Sequence, residues 1–430
     1  MQKGGGLTLS SLNAVGAMEP HKLGKPEITA PAGSLDKLLF AVYFGADAVY
    51  FGGSAFNLRI NADGFTNDEL SYAAEFCSEH GVKSIFLLNA FLHEKNLSEA
   101  KSVVRHIKGF GFDAVMTADP GMLVLLKDAG VHAAFYLSTQ MTVLNSAAAA
   151  FWKAAGYSRV VLGREITPDE ILAIKNAVNI EIEVFAHGAV CMAYSGRCLL
   201  SRCLTGRDAN AGDCSQPCRW RYKLVEEKRQ GTFMEIGEYP TGTEILSAYD
   251  LCLIEKLPDY IRAGVDAFKI EGRMKSLYHA ANTTRIYAAA RDAADTPKFS
   301  EQLEFWRREL DLVSHRPYTS NTLNETEGKD FAGVPYINKA MFMGWKLDAG
   351  DDYRAAKVKT ANPIYAGDVL DAIFPIKEKL LDDSFRVVKI IDEAGAEVNM
   401  ARPNGVYTII FDKDVAPYAV FRKTVNKQEQ

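Results

Sequence analysis

From Pro26 onward the chain alternates short β-like runs with amphipathic stretches, a strand-then-helix unit recurring about every 25 residues. The β-like runs are EITAPAG, DAVYFGG, KSIFLLNA, DAVMTAD, HAAFYLSTQ, SRVVLGRE, IEIEVFAHG and VDAFKIEGR. Between them lie stretches such as LDKLLFAVYFGA, NDELSYAAEFCSEHG, SEAKSVVRHIKGFG and PDEILAIKNAV, several closing on a Gly of the kind that ends helices. Parallel strands joined by helices define an α/β protein, and eight such units is the count of a TIM-like (β/α)8 barrel. A doubly wound open sheet is the competing arrangement, and the eight-unit count disfavours it.

The alternation is interrupted once. The seventh strand is followed by a cysteine-rich insertion, residues 189–223, and by a predicted hairpin, YKLVEEKRQGTFMEIGEYPTGTEILSAYDL. Only then does the helix LIEKLPDYIRAG lead to the eighth strand. Insertions of that size are more often functional than structural, and in a barrel this one lies over the C-terminal face, where active sites are built. It holds Cys191, Cys198, Cys203, Cys214 and Cys218, with Cys252 close behind; Cys77 stands apart on a predicted helix face and reads as core. Soft thiolates at short loop spacing point to zinc or an iron–sulfur cluster. Cys191, Cys198, Cys214 and Cys218 have six, fifteen and three residues between neighbours, which is neither a zinc ribbon nor a ferredoxin run. The alternative is that some are buried apolar thiols.

Three regions follow: a flexible leader over 1–24, within which Met18 is an alternative start; the barrel over 25–325; and a linker with a small β-barrel-like accessory domain over 326–430. The last rests on short alternating runs from about Met341, YRAAKVKT, PIYAGDVLDAIF, FRVVKIID, VYTIIFD and PYAVFRK, separated by turn signals. No apolar run approaches the ~18 residues of a membrane span, and the leader lacks the apolar core of a signal peptide. A cytoplasmic location is therefore expected, where clustered cysteines are metal ligands more often than disulfides. A net charge of −5 excludes indiscriminate coating of nucleic acid but leaves room for a local basic site.

Polar side chains recur at the C-terminal ends of the predicted strands: Asn89, Asp119, Gln140, Arg164, Glu165, His187, Glu271 and Arg273. Core positions there would be apolar, so the group reads as a pocket lining. Each also has a plainer reading. Asp119 precedes Pro-Gly and suits a helix N-cap, Glu271 and Arg273 suit a mutual pair, and His187 suits a satisfied buried histidine. Around the insertion, Arg197, Arg202, Arg207, Arg219, Arg221 and Lys223 face only Asp208 and Asp213. A basic lip at the barrel mouth attracts phosphates, and Trp220 and Tyr222 are placed to stack a splayed base of single-stranded nucleic acid. A solvated loop anchored by one aromatic is the alternative. Arg59 adds a further phosphate contact from the loop after the second strand.

The string from Glu183 to Ser201, EVFAHGAVCMAYSGRCLLS, resembles peptidase family U32. The resemblance continues through AGDCSQPCRW, DLCLIEKLPDYIRAGVDAFKIEGRMKS, TAPAGSLDKLLFAVYFGADAVYFGG, NLRINADGFT and SHRPYTS, spanning about Pro26 to Thr322. It implies several activities: hydroxylation of the tRNA wobble uridine to 5-hydroxyuridine, of a cytidine in large-subunit ribosomal RNA in proteins with a longer C-terminal extension, or support of ubiquinone-ring hydroxylation in shorter ones. The founding label is collagenase-like protease. Length, β-domain and the SHRPYTS segment resemble the tRNA branch, so an RNA-modifying hydroxylase is expected. By the same resemblance Cys191, Cys198 and Cys214 are ligands of a 4Fe–4S cluster, the fourth being Cys218 or Cys252, and Cys203 is a spare thiol. Prephenate is implied as the hydroxyl donor, with Arg164, Arg273 and Lys275 as groups to hold a dicarboxylate and His187 and Glu271 as further catalytic candidates. A redox partner is expected as well. Two rivals remain: a peptidase with a Cys191–His187 pair, although no established triad or HExxH motif occurs, and a non-catalytic cluster protein that assists a hydroxylase.

Overall fold

The computed structural model describes residues 24–58, 64–191, 193, 195, 197–217, 237–239, 242–244, 249–320, 336–347, 354–375 and 383–425. Strands β1 (Glu27–Pro31), β2 (Ala48–Phe51), β3 (Lys83–Leu88), β4 (Ala114–Thr117), β5 (Ala134–Leu137), β6 (Arg159–Val161) and β7 (Glu181–Ala189) pair in sequence order, all parallel. Strand β8 (Asp250–Cys252) lies antiparallel on the far end of β7, and β9 (Ala267–Ile270) pairs in parallel with both β7 and β1, closing the ring. The closed eight-stranded barrel is therefore β1–β7 with β9, as the alternation predicts. Strands such as Ala48–Phe51 and Ala114–Thr117 are buried at every position, which explains their continuous apolar runs: helices cover one side and the barrel interior the other.

Helices α1 (Leu35–Tyr43), α2 (Asn67–Glu79), α3 (Leu97–Ile107), α4 (Pro120–Asp128), α5 (Ser146–Ala155) and α6 (Pro168–Ala177) follow the first six strands. The insertion carries a short α7 (Leu200–Thr205); α8 (Leu257–Arg262) precedes β9, and α9 (Leu277–Ala293) and α10 (Lys298–Asp311) follow it. Capping boxes start α2 at Thr66 with Glu69 and α6 at Thr167 with Glu170, each satisfying two backbone donors that the first helical turn leaves open. Asp119 caps α4 by accepting from the Gly121 N–H at 2.7 Å and also accepts from the Leu92 N–H at 2.9 Å, so it is committed to loop structure.

Of the predicted hairpin, Gly237–Tyr239 and Gly242–Glu244 do pair antiparallel. Its predicted end does not belong to it. Asp250 and Leu251 register with Ala189 and Gly188 of β7 and with Tyr318 and Thr319 of β10 (Tyr318–Thr319). Strand β7 runs nine residues, beyond the barrel rim, and its open edge recruits them.

The C-terminal region is all-β and antiparallel. Strands β11 (Ala340–Lys346), β12 (Ala355–Thr360), β13 (Val369–Ile373), β14 (Asp383–Ile391), β15 (Val406–Phe411) and β16 (Val420–Thr424) form a second ring, in the order β11-β12-β15-β14-β13-β16 and back to β11. Its core includes Val358, Leu370, Phe385, Ile409 and Phe421. It packs on α1 and α9 through Phe40, Phe44, Leu277 and Tyr278 against Trp345, Ile373 and Val420. Among the described residues no helix is long and apolar enough to cross a membrane.

Candidate active site at the barrel mouth

The barrel interior is charged from the bottom up. Arg159, the first residue of β6, is buried and paired with Glu27 at 2.8 Å, Glu181 at 2.7 Å and Glu183 at 3.6 Å. One layer higher, Lys269 of β9 donates to Glu183 at 3.0 Å and sits 4.1 Å from the centre of the Tyr50 ring. Buried charges persist only when paired, and these pairs plug the closed end. Desolvation pushes the Lys269 ammonium below its ordinary range, against the pull of Glu183. Lys269 also forms part of the floor of an open cavity at the C-terminal ends of the strands.

Strand ends and the cysteine insertion build the walls of that cavity. Cys191, Cys198 and Cys214 all line it, together with Arg164, Glu271 and Arg273. Each of the three thiols is free of disulfide bonding. Cys191 is exposed as a residue, yet protein packed around its sulfur raises its thiol pKa. The Ala193 N–H and the Arg164 guanidinium work the other way, and the nearby Cys198 and Cys214 thiols raise it further. Arg164 lies 3.8 Å from the centre of the Phe185 ring, and Arg273, almost fully buried, donates to Asn57 at 2.9 Å. Asn89 and Gln140 share the wall, the buried amide oxygen of Gln140 having no hydrogen-bond donor among the described residues.

Other predicted site residues fall elsewhere. His187 is buried behind the wall, with its ring 5.5 Å from Tyr287, 5.8 Å from His279 and 5.3 Å from Tyr318. The cause is a bulge: pairing of β7 with β9 shifts between Lys269 and Ile270, so Ile270 registers with His187, and the inward phase of Glu183 and Phe185 is lost. Desolvation holds its imidazole well below the ordinary range, with His279 adding to the effect. His187 therefore does not line the cavity with Cys191. Cys252, opposite His187 in register, is also off the cavity; its thiol, contacted by the Tyr287 hydroxyl at 3.7 Å, is pushed up to about 11 by burial. Lys275 donates to the Ser314 carbonyl at 3.2 Å rather than lining the cavity.

The basic lip is thinner than its composition. Arg202 pairs with Asp208 and Arg207 with Asp213, while Arg197 stays exposed at the rim, 5.5 Å from the Phe91 ring. Arg59, Cys218, Arg219, Trp220 and Arg221 lie outside the described residues. Two cations of the cavity lining, Lys269 and Arg316, were not singled out from the sequence. Lys269 had a signal, a lone cation inside the apolar run VDAFKI.

The donor set bears on the cofactor. Among the described residues no group of three or more His, Cys, Asp or Glu is gathered tightly enough to hold a single metal ion. Cys191, Cys198 and Cys214 line one cavity, and thiolates are soft ligands of the kind that iron–sulfur clusters use.

The match to known proteins covers most of the chain. Residues 33–331 match the model of peptidase family U32. The tRNA hydroxylation protein P1 of Bacillus subtilis is 36% identical over 413 residues, covering 93% of this chain and 95% of that protein. The 23S rRNA 5-hydroxycytidine synthase of Escherichia coli is 32% identical, covering 89% of this chain but 58% of the synthase. A collagenase of Porphyromonas gingivalis is 33% identical over 68% of this chain and 72% of its own length. With a barrel whose mouth carries the cysteine insertion and a family match across nearly all of that barrel, the chain belongs to peptidase family U32.

Proposed function

We propose that this protein is a tRNA-modifying enzyme that hydroxylates the wobble uridine to 5-hydroxyuridine in the cavity at the barrel mouth. The observation that carries the reading is the meeting of Cys191, Cys198 and Cys214 with Arg164, Glu271 and Arg273 on one cavity. Its substrate class is drawn from the tRNA hydroxylation protein P1, of whose length the match covers 95%, against 58% for the rRNA synthase. Placing a hydroxyl on the unreactive C5 position requires redox chemistry and an oxygen donor that side chains lack, and a 4Fe–4S cluster held by the three cysteines supplies the redox part. The fourth ligand is Cys218 or Cys252, and Cys252 faces Tyr287 rather than the cavity.

The chain's own residues have separable tasks. Arg164, Lys269 and Arg273 present cations to a carboxylate-bearing hydroxyl donor such as prephenate, and the burial of Lys269 and Arg273 strengthens that attraction. Glu271 places an acceptor at the same wall. Arg197 at the rim offers a phosphate contact for the anticodon loop. His187 acts from behind: its backbone carbonyl accepts from the Glu271 N–H at 2.8 Å and so fixes the strand end that carries Glu271 and Arg273.

Anaerobic purification with iron and sulfide analysis, followed by reconstitution with purified tRNA and mass spectrometry of its nucleosides, tests the proposal. Cys191→Ala is expected to lose cluster iron and to reduce wobble hydroxylation to background. Undiminished hydroxylation by that variant sinks the cluster mechanism. An iron-free wild-type protein that cleaves gelatin would restore the peptidase reading.

A further inference from the structure

We infer that Glu165 is the clasp by which the barrel holds the segment between Cys191 and Cys198 in shape, a positioning residue rather than a ligand. The inference rests on the iron–sulfur reading above. Glu165 lies in the loop between β6 and α6 and is not among the residues that line the cavity. Both its carboxylate oxygens take donors from one residue, Ser195: the backbone N–H to Oε1 at 3.0 Å and the hydroxyl to Oε2 at 3.3 Å. Ser195 stands four residues after Cys191 and three before Cys198. It is 1% exposed and has a φ of +47°, the left-handed region that disfavours a residue with a side chain. That backbone conformation at Ser195 is held by two acceptor oxygens of Glu165, one for each Ser195 donor.

The space for this grip is specific. A Cβ on Gly163 would come within 2.5 Å of Glu165 Oε2 and 3.2 Å of Ser195 Oγ, so the carboxylate fits only because position 163 has no side chain. The other side of the insertion is braced from within. Asn210 accepts from the Cys198 N–H at 3.4 Å and donates to its carbonyl at 3.1 Å, and Ser215, next to Cys214, is tied to Ser201 and Thr205. The Cys191–Cys198 segment has Glu165 in the corresponding role, supplied by the barrel wall. Outer contacts that orient ligand-bearing backbone typically change metal affinity about 10–100-fold.

The test is the rate of iron release to a chelator from anaerobically reconstituted protein, with melting temperature and the cluster's electron paramagnetic resonance spectrum recorded alongside. Glu165→Ala is expected to release iron on the order of tenfold faster than wild type and to broaden the spectrum. Glu165→Gln keeps an acceptor for the Ser195 N–H and an amide donor for its hydroxyl, and should restore most of the retention. Ser195→Ala, which loses only the hydroxyl arm, should fall between, and it carries the test if the alanine variant at 165 does not fold. Equal release from wild type and either alanine variant overturns the clasp while leaving the iron site standing. A glutamine variant as leaky as the alanine one overturns it too, since charge rather than the paired hydrogen bonds would then be at work. Wild type that takes up no iron overturns the cluster reading and this inference with it.

Discussion

Two histidines behind the cavity wall stay neutral where ordinary histidines would charge. Burial holds His279 at about 3, helped by Lys275, while its Nε2 lies 3.0 Å from the Glu271 carbonyl; burial likewise depresses His187. Both folded values lie below the unfolded one of about 6.5. Below that pH the unfolded chain therefore binds protons that the native state does not. Stability is fully present above pH 6.5 and falls as the pH drops, by about 1.4 kcal/mol per unit for each such histidine. His279→Gln keeps an amide donor for the Glu271 carbonyl and removes one titration. Urea unfolding at pH 7 and pH 5 should show a loss smaller by about 2 kcal/mol in that variant than in wild type. At this scale the sequence points to polar positions at strand ends but not to the side each one faces. Arg164, Glu271 and Arg273 reach the cavity, whereas Asp119 caps a helix and His187 turns away.

Strand β7 and the end of β9 form the element on which the site depends. Gly188 has a φ of +103°, and a Cβ there would meet the Glu271 carbonyl oxygen at 2.4 Å. That glycine lets β7 approach the end of β9, where Glu271 and Arg273 stand, while the bulge beside it sends His187 backward. Gly188→Ala combines a strained backbone with a collision against main chain. It should destabilise the protein by about 2–3 kcal/mol, read as a lowered melting temperature, and reduce hydroxylation beyond any effect of unfolding. The strand itself is legible in IEIEVFAHG, but its length is not. Nothing in AYDLC signals that β8 will pair with the overhang, because that pairing is made by a free strand edge and not by local propensity.

Across the whole molecule, the two barrels are joined by a buried ion triad as well as by apolar contact. Glu309 of α10 accepts from Arg285 of α9 at 2.7 Å and from Arg422 of β16 at 2.7 and 3.1 Å, and Arg422 also donates to the Tyr278 hydroxyl at 3.0 Å. All three charged side chains are buried. Glu309→Ala leaves two buried guanidinium groups without their shared carboxylate, a change that typically costs about 3–5 kcal/mol. Chemical denaturation should show that loss, and limited proteolysis should show the C-terminal barrel released more readily than in wild type.

The sequence by itself determined the eight strand-and-helix units, the second all-β region and the concentration of thiols after the seventh strand, because periodicity and spacing are local properties. The eight-unit count also foretold closure, since β9 needs two partners and the chain offers β7 and β1. Only the tertiary structure decided which cysteines share a cavity. Cys191, Cys198 and Cys214 lie on it and Cys252 does not, though all four stand in the same stretch of sequence. A one-residue bulge, a glycine without a Cβ and an unpaired strand edge made that choice. Each depends on how distant segments meet in space, which residue spacing along one chain does not record.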